Sequence, residues 1–312
     1  MNRNLRLSLI YILICSFSSI KTFAQEDPSL FLFHLENRHL NHFDNSLINE
    51  NKNSISFKWH DPITQLPTDF LSFGKKTFNI KSINTIAGLT LLTGILISVD
   101  HETIEPFRSN YKSSPTIRNL SKDISWLGGG EFHLILASAF GSAGLILDDQ
   151  RALRTALQIV EAELVTGVTV QLLKRVAGRE SPQSATHFHG LFRPFPNLKD
   201  YHQNETKYYS FPSGHVSTSV AVLTVIAENY THVSWIKPVG YATIGLIGIG
   251  LVARGWHWFS DYPLAAVIGY TFGKIISSRN DLLNDDDFEN SHWSIHPDYK
   301  NGLGIGLSYK LN

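Results

Sequence analysis

The sequence predicts an all-α protein built as a six-helix bundle. Hydrophobic residues make up 43% of the 312 residues and charged residues only 17%, which is a more apolar balance than that of an ordinary soluble protein. Six apolar stretches of helical length also follow one another along the chain. They are Ile83–Val99, Phe132–Leu147, Ala152–Val176, Val216–Tyr230, Ile236–Ala253 and Tyr262–Ser278.

The N-terminal segment, residues 1–24, resembles a secretory signal peptide. Arg3 and Arg6 give it a basic start, an apolar stretch follows, and Ala24 supplies a small residue at the expected cleavage point. An uncleaved anchor helix is the alternative. Cys15 is the single cysteine of the chain and lies in this segment. The mature protein is therefore expected to lack disulfides and cysteine metal sites, and to be located in the cell envelope.

The regions on either side of the apolar stretches are polar. Residues 25–80 are rich in Asn, and we expect an irregular arm with short elements there. The chain turns acidic after the last stretch, and its final residues alternate between apolar and small or polar types, which favours a small C-terminal β-hairpin. We thus expect a signal peptide (1–24), a polar N-terminal arm (25–80), a helical domain (81–280) and an acidic segment with C-terminal strands (281–312).

The apolar stretches leave two membrane relationships open. Their charge-free windows are mostly shorter than the roughly 20 apolar residues that a spanning helix needs, and Glu161 and Glu163 interrupt the third stretch. One alternative is a bundle in the periplasm or on the membrane surface. The other is an integral membrane bundle, in which a further helix within 66–82 would change the predicted orientation. The net charge of zero argues against a nucleic-acid partner.

Pro212-Ser213-Gly214-His215 precedes an apolar stretch and is the most informative motif. Ser213 and Gly214 offer a hydroxyl and backbone N–H groups where a helix is expected to begin. A helix N-terminus has unpaired N–H groups and partial positive charge, so it binds anions well. His215 is placed there as a candidate proton donor. Ordinary turn chemistry would also explain a Pro-Ser-Gly run.

Two further groups of residues can take part in phosphate chemistry. Lys174 and Arg179 lie at the end of the third stretch, although cations there also favour the helix dipole. His257 and Asp261 are four residues apart, so on a helix they would share a face and the carboxylate could orient the imidazole. A surface pair or a packed ring would give the same pattern. The three groups follow one another in order, each at the edge of a different apolar stretch, and this favours a common site.

In these segments the chain resembles the type 2 phosphatidic acid phosphatase and vanadium haloperoxidase superfamily, over roughly residues 83–278. The resemblance implies a helical bundle of the acid phosphatase/haloperoxidase type. It implies that Lys174, Ser213 and the Gly214 amide bind phosphate, that His215 protonates the leaving group, and that His257 is the nucleophile oriented by Asp261.

Two positions depart from the family pattern. The arginine expected seven residues after the lysine falls on Ser181, and the arginine expected six residues before the nucleophilic histidine falls on Leu251. Arg179 matches a second arginine that bacterial members often carry. Arg254 is the arginine nearest the second missing position. We expect both to bind phosphate as replacements.

The expected function is metal-independent hydrolysis of a phosphate monoester or of a lipid phosphate or pyrophosphate through a phosphohistidine. The expected partners are a phosphorylated lipid or a small phosphoester, together with a membrane. The site is expected to face the periplasm. Vanadate-dependent halide oxidation, with vanadate as the phosphate mimic, and non-catalytic phosphate or lipid binding are the alternatives. No cofactor is expected. His187 and His189 are interpreted as loop residues rather than metal ligands, since no carboxylate pair lies near them in the sequence.

Overall fold

The computed structural model describes residues 60–279, 293–298 and 304–309. These belong to one compact unit, Ser56–Asn312. The predicted signal peptide, most of the polar arm and the acidic run after the last helix lie outside the described residues.

The described part is helical apart from two short strands. The α-helices are α1 (Asp61–Thr64), α2 (Leu66–Thr77), α3 (Ile83–Ser113), α4 (Pro115–Trp126), α5 (Gly130–Leu147), α6 (Gln150–Ala177), α7 (Leu198–Gln203), α8 (Gly214–Asn229), α9 (Ile236–Arg254) and α10 (Tyr262–Ser277). Short 3-10 helices cover Ile80–Ser82, Glu205–Lys207 and Phe259–Asp261. The strands β1 (Trp293–Asp298) and β2 (Gly304–Tyr309) pair in antiparallel register at the end where alternation favoured a hairpin.

All six predicted helices are present, and the structure adds elements that the sequence reasoning missed. Helix α2 lies within the segment expected to be an irregular arm. Its Phe73 stacks on Phe272 of α10 with ring centroids 4.4 Å apart. Helix α3 continues to Ser113, past Pro106 and well beyond the predicted end at Val99. Helix α4 was not predicted, because it is short and strongly mixed in polarity.

Helix α8 is the centre of the bundle, and most of its side chains are buried. It packs between α6 and α10 through Val165, Ala221 and Phe272, each fully buried. The contact with α10 is close, because a Cβ at Gly269 would lie 2.1 Å from the Ser217 carbonyl oxygen. Small residues permit such backbone approach between helices.

The acidic residues of the third apolar stretch are paired inside the bundle. Glu161 is 1% exposed and accepts a hydrogen bond from Arg279, whose other guanidinium nitrogen lies 2.8 Å from Asp69. Glu163 contacts His133 of α5 at 2.7 Å. Charged side chains of spanning helices typically face the bundle interior and have partners. The position of these carboxylates in the sequence suggested that α6 does not span a membrane. Because both are paired inside the bundle, they do not argue against a membrane location.

In the part of the chain that the structure describes, four helices are long and apolar enough to cross a membrane, namely α3 (with the preceding 3-10 turn), α5, α6 and α9. Their outer faces are apolar. Helix α6 exposes Leu164, Val168, Leu172 and Val176, one residue on each successive turn. Contiguous exposed apolar surface of this kind marks a membrane or a protein interface. The candidate spans favour the integral membrane bundle over a soluble one.

Candidate active site

The helix start predicted at Pro212-Ser213-Gly214-His215 is present. Ser213 is the N-cap residue of α8, and its Oγ accepts a 3.5 Å hydrogen bond from the Val216 amide. Ser213 is fully buried, whereas Gly214 and His215 are partly exposed. The first turn of α8 thus presents backbone N–H groups and the His215 ring at one end of the bundle, which is the geometry expected of an anion site.

The His257–Asp261 pair is also formed, but not in the way its spacing predicted. His257 lies in an extended segment after α9, and Asp261 ends the 3-10 helix Phe259–Asp261. The two side chains meet across this turn, with His257 Nδ1 3.3 Å from Asp261 Oδ2. The expectation of a shared α-helical face was wrong, because Gly255 ends α9 in the left-handed conformation, with φ at 78°.

Asp261 is fixed by donors from several segments. Its Oδ2 accepts hydrogen bonds from Ser210 Oγ at 2.6 Å and from the Trp258 amide at 2.8 Å. Its Oδ1 accepts one from Arg179 Nη1 at 2.6 Å. The Asp261 carbonyl in turn accepts from the Ser213 amide at 3.2 Å. This last bond connects the His–Asp turn directly to the start of α8.

Arg179 lies behind the His–Asp pair, whereas we had expected it at the phosphate. Its guanidinium bridges Asp261 and Asp100, with Nη2 2.8 Å from the Asp100 carboxylate, and also donates to Ser260 and the His189 carbonyl. The residue is fully buried. Both terminal nitrogens are occupied by these acceptors and thereby position Asp261, whereas Nε is buried without a hydrogen-bond partner. Asp100 was missed, because nothing local in α3 indicates a partner 79 residues away.

Lys174 approaches the start of α8 from the last turns of α6. It is 6% exposed, and its Nζ lies 5.0 Å from the centre of the Tyr209 ring. A Cβ placed on Gly214 would be 3.7 Å from that nitrogen. No hydrogen-bond acceptor for the ammonium occurs among residues 60–279. Lys174 is therefore a buried cation, beside the anion-binding helix start, whose donors are available to a ligand.

Arg254, the last residue of α9, lies over the Trp256 ring with its Cζ 3.5 Å from the ring centre. The same indole lies 5.8 Å from the His215 ring, measured between centroids. Arg254 and His215 thus contact the same indole, which places Arg254 on the His215 side of the site. Leu251, where the family arginine was expected, is fully buried in the apolar core.

The electrostatics of the two imidazoles favour neutral rings. Burial, and next the neighbouring His257 and Lys174, lower the pKa of His215 to about 3. Burial also lowers the pKa of His257, although Asp261 opposes this effect. Burial raises the pKa of Asp261, but Arg179 and the hydrogen bond with His257 outweigh burial and hold that pKa below its usual value. The pair is therefore a neutral imidazole beside a carboxylate at neutral pH.

The long connector between α6 and α8 is organised by Glu180. This buried carboxylate accepts hydrogen bonds from the Thr186 and Leu191 amides, both at 3.0 Å, and from Arg193. Burial raises the pKa of Glu180, but these hydrogen bonds outweigh burial, so the pKa is lower than the usual value. Ser181, the other departure from the family pattern, donates to the Thr206 carbonyl at 2.9 Å and so holds the same loop.

A series of hydrogen-bonded side chains, Glu163, His133 and Ser219, lies one turn further along α8 and was not predicted. His133 Nδ1 contacts Glu163, and its Nε2 lies 3.3 Å from Ser219 Oγ. Ser219 follows His215 by one helical turn, and a Cβ on Gly128 would touch both, at 3.3 Å each. The feature of the sequence that could have indicated this contact is Glu163, a charged residue within an apolar stretch. Within the described ranges, no group of three or more His, Cys, Asp or Glu side chains is arranged to hold a metal ion.

Comparison with known proteins finds similarity for this part of the chain. Residues 155–282 match the model of the PAP2 superfamily. The chain is 33% identical over 132 residues to a probable lipid phosphate phosphatase 4 of Arabidopsis thaliana, covering 34% of this chain. It spans only 41% of the length of that relative.

Two solved structures are also similar. One is a transmembrane PAP2-type phosphatidylglycerolphosphate phosphatase from Bacillus subtilis, with 16% identity, a TM-score of 0.41, and coverage of 72% of this chain and 98% of that one. The other is Aquifex aeolicus LpxE, with 22% identity, a TM-score of 0.41, and coverage of 56% and 93%.

Proposed function

We propose that the protein is a lipid phosphate phosphatase, because residues 155–282 match the model of the PAP2 superfamily and the geometry of the site suits that chemistry. The observation that carries the proposal is the convergence of Lys174, the start of α8 and the His257–Asp261 pair at one end of the bundle. We propose that the reaction proceeds through a phosphohistidine on His257.

The first step is attack by His257 on phosphorus. Asp261 faces Nδ1 of the ring, so Nε2 is the nitrogen that forms the N–P bond while the P–O bond to the lipid breaks. The carboxylate stabilises the positive charge that develops on the imidazole. Lys174, Arg254 and the amides that begin α8 stabilise the phosphoryl oxygens, which carry the charge of the transition state.

His215 handles the protons. It gives its proton to the leaving alkoxide, then takes one from the water that attacks phosphorus and breaks the N–P bond, which releases inorganic phosphate. The low pKa of His215 means that the ring is neutral at pH 7 when only protein groups surround it. We infer that it acquires its proton when the phosphate dianion binds, since the dianion adds negative charge beside a ring that is otherwise surrounded by cations.

The surroundings of the site favour a lipid substrate. The site lies at the ends of α6 and α9, two of the candidate spans. The adjoining connector exposes Phe188 and Phe195, at 69% and 75%. Large exposed rings beside a membrane-facing bundle suit contact with lipid tails. An exported N-terminus followed by the three candidate spans α3, α5 and α6 would place this end in the cytoplasm, so the periplasmic site that we propose requires one further crossing before α3.

The test is a substrate panel on purified protein in detergent and in lipid vesicles, with phosphate release as the measurement. The panel holds phosphatidic acid, an isoprenyl diphosphate, a lipid A phosphate and a soluble aryl phosphate. We expect turnover of at least one lipid and an acid-labile phosphoryl label on the protein. Both should be lost in His257→Ala.

The matched control is His232→Ala, beyond the opposite end of α8, which should retain both. Full turnover by His257→Ala would refute the assigned nucleophile. Failure of the wild-type protein to release phosphate from any member of the panel would refute the phosphatase.

A further inference from the structure

Residues 75–83 form the corner between α2 and α3, and this corner displays apolar side chains at the surface of the protein. Phe78 and Ile80 are 84% and 79% exposed. The cationic side chains of the corner are exposed as well, namely Lys75, Lys76 and Lys81. Large apolar side chains beside lysines are the composition of segments that lie in a membrane–water interface.

The corner is held in one conformation by its own hydrogen bonds. The Asn79 side chain accepts hydrogen bonds from the Lys81 and Ser82 amides at 2.8 and 3.2 Å. Its own amide group donates to the Lys75 and Lys76 carbonyls at 3.1 and 2.8 Å. Ser82 Oγ donates to the same Lys76 carbonyl at 2.6 Å. Turning the apolar side chains inward would break these hydrogen bonds, so their exposure is a property of the fold.

The charge of the corner and of the chain around it is of one sign. Residues 70–99 contain three lysines and no aspartate or glutamate. A surface of one sign attracts a partner of the opposite sign. An anionic phospholipid layer also accepts the apolar side chains, since its headgroups are negatively charged and the region beneath them is apolar. This partner therefore fits both features of the corner.

The corner lies at the far end of α3 from the catalytic residues. Asp100 of the same helix binds Arg179 behind the nucleophile. The helical stretch from Ile83 to Asp100 is about 25 Å long, which is close to the roughly 30 Å thickness of the hydrocarbon layer. The candidate span of α3 begins at Ile80, within the corner. The corner is thus placed at the membrane face opposite to the active site.

We propose that residues 75–83 bind anionic phospholipids in the membrane leaflet opposite to the active site. Phe78 and Ile80 enter the upper acyl region, and the three lysines reach the lipid phosphates with their long side chains. This binding involves no turnover, so the inference is independent of the proposed phosphatase activity.

The experiment measures which lipid occupies the corner. Cys15→Ser removes the single native cysteine, and Asn84→Cys carries a bimane fluorophore at an exposed position next to the corner. This reporter protein is reconstituted in lipid nanodiscs. Quenching by brominated phosphatidylglycerol, which is anionic and has no phosphomonoester, is compared with quenching by brominated phosphatidylcholine, which is zwitterionic. The readout is the ratio of the two binding constants at the fluorophore.

Phosphatidylglycerol should bind preferentially in the reporter protein. Each of Lys75→Gln, Lys76→Gln and Lys81→Gln should lower the ratio about fivefold, as expected when one lysine is removed from an anionic surface. Salt at about 1 M should remove the preference, because the screening length falls to about 3 Å. Phe78→Ser should reduce quenching by both lipids without changing their ratio. The matched control Lys112→Gln, an exposed lysine at the other end of α3, should change neither.

Equal binding of the two lipids in the reporter protein would overturn the inference, and so would an unchanged ratio when all three lysines are replaced. Absence of quenching by either lipid would also overturn it, because the corner would then be covered by protein and not by lipid. The substituted side chains are all exposed, so the variants are expected to fold and each of these outcomes can be observed.

Discussion

Binding of a phosphate-like dianion should load a proton onto His215. Burial, and next His257 and Lys174, lower the pKa of this ring to about 3. At pH 7 it is therefore neutral and has no proton to give. The proposed reaction requires the protonated form in the complex, so ligand binding and proton uptake must be coupled.

The size of the coupling follows from Coulomb's law. One negative charge about 4 Å from the ring contributes about 4 kcal/mol at an effective dielectric constant of about 20, which corresponds to about 3 in pKa. A single charge thus moves the pKa of His215 from about 3 to about 6, and the two charges of a dianion move it to about 9. At pH 7 the complex should hold close to one extra proton.

Isothermal titration of tungstate into the purified protein measures this uptake. The binding enthalpy is measured at pH 7 in buffers of different ionisation enthalpy. The slope of binding enthalpy against ionisation enthalpy gives the number of protons taken up. We expect a slope close to one in the wild-type protein and close to zero in His215→Asn. As the pH rises from about 3 to about 9, the affinity should fall by about tenfold per pH unit, because binding takes up a proton throughout this range, and above about 9 it should no longer depend on pH.

Two results would refute this reasoning. One is tight binding of tungstate without any buffer dependence. The other is uptake that persists in His215→Asn and disappears in His257→Ala, which would assign the proton to the nucleophile instead.

Three other substitutions test separate parts of the structure. Lys174→Met should lower kcat by about 10²–10³-fold through loss of a charge-stabilising donor, whereas Lys122→Met should not; equal activity of the two variants would remove Lys174 from the site. Arg179→Lys cannot bridge two carboxylates and should destabilise the protein by about 3–5 kcal/mol, seen as a lower midpoint of thermal unfolding in detergent; an unchanged midpoint would contradict the bridging role. Gly269→Ala places a Cβ 2.1 Å from the Ser217 carbonyl oxygen and should cost about 1–3 kcal/mol, whereas Gly88→Ala, with open space around it, is the control and should cost far less.

The parts of the site that the sequence predicted are those with local signals. The Pro212–His215 run before an apolar stretch predicts a helix start, and Ser213 is the N-cap residue of that helix. The spacing of His257 and Asp261 predicted that their side chains meet, which they do, but it predicted a shared helix face. A positive φ at Gly255 ends the helix, and the two residues meet across a turn. A glycine in the motif was visible, but not the backbone conformation it would adopt.

The parts that the sequence could not supply depend on distant residues. Arg179 was expected at the phosphate because its chemistry suits that role, but Asp100 and Asp261 bind it from two other elements. Glu163 was interpreted as evidence against a membrane span, but it has a partner inside the bundle, because His133 of the neighbouring helix contacts its carboxylate. In each case the partner is set by helix packing, which local sequence patterns do not encode.

The hydrogen bond from the Ser213 amide to the Asp261 carbonyl has a consequence for engineering. It joins the acid-bearing helix and the nucleophile-bearing turn into one unit, so tilting either to admit a bulkier substrate would disturb the alignment of both. Attempts to broaden the substrate range should therefore leave residues 210–215 and 255–261 intact and instead vary exposed side chains of the connector such as Phe188.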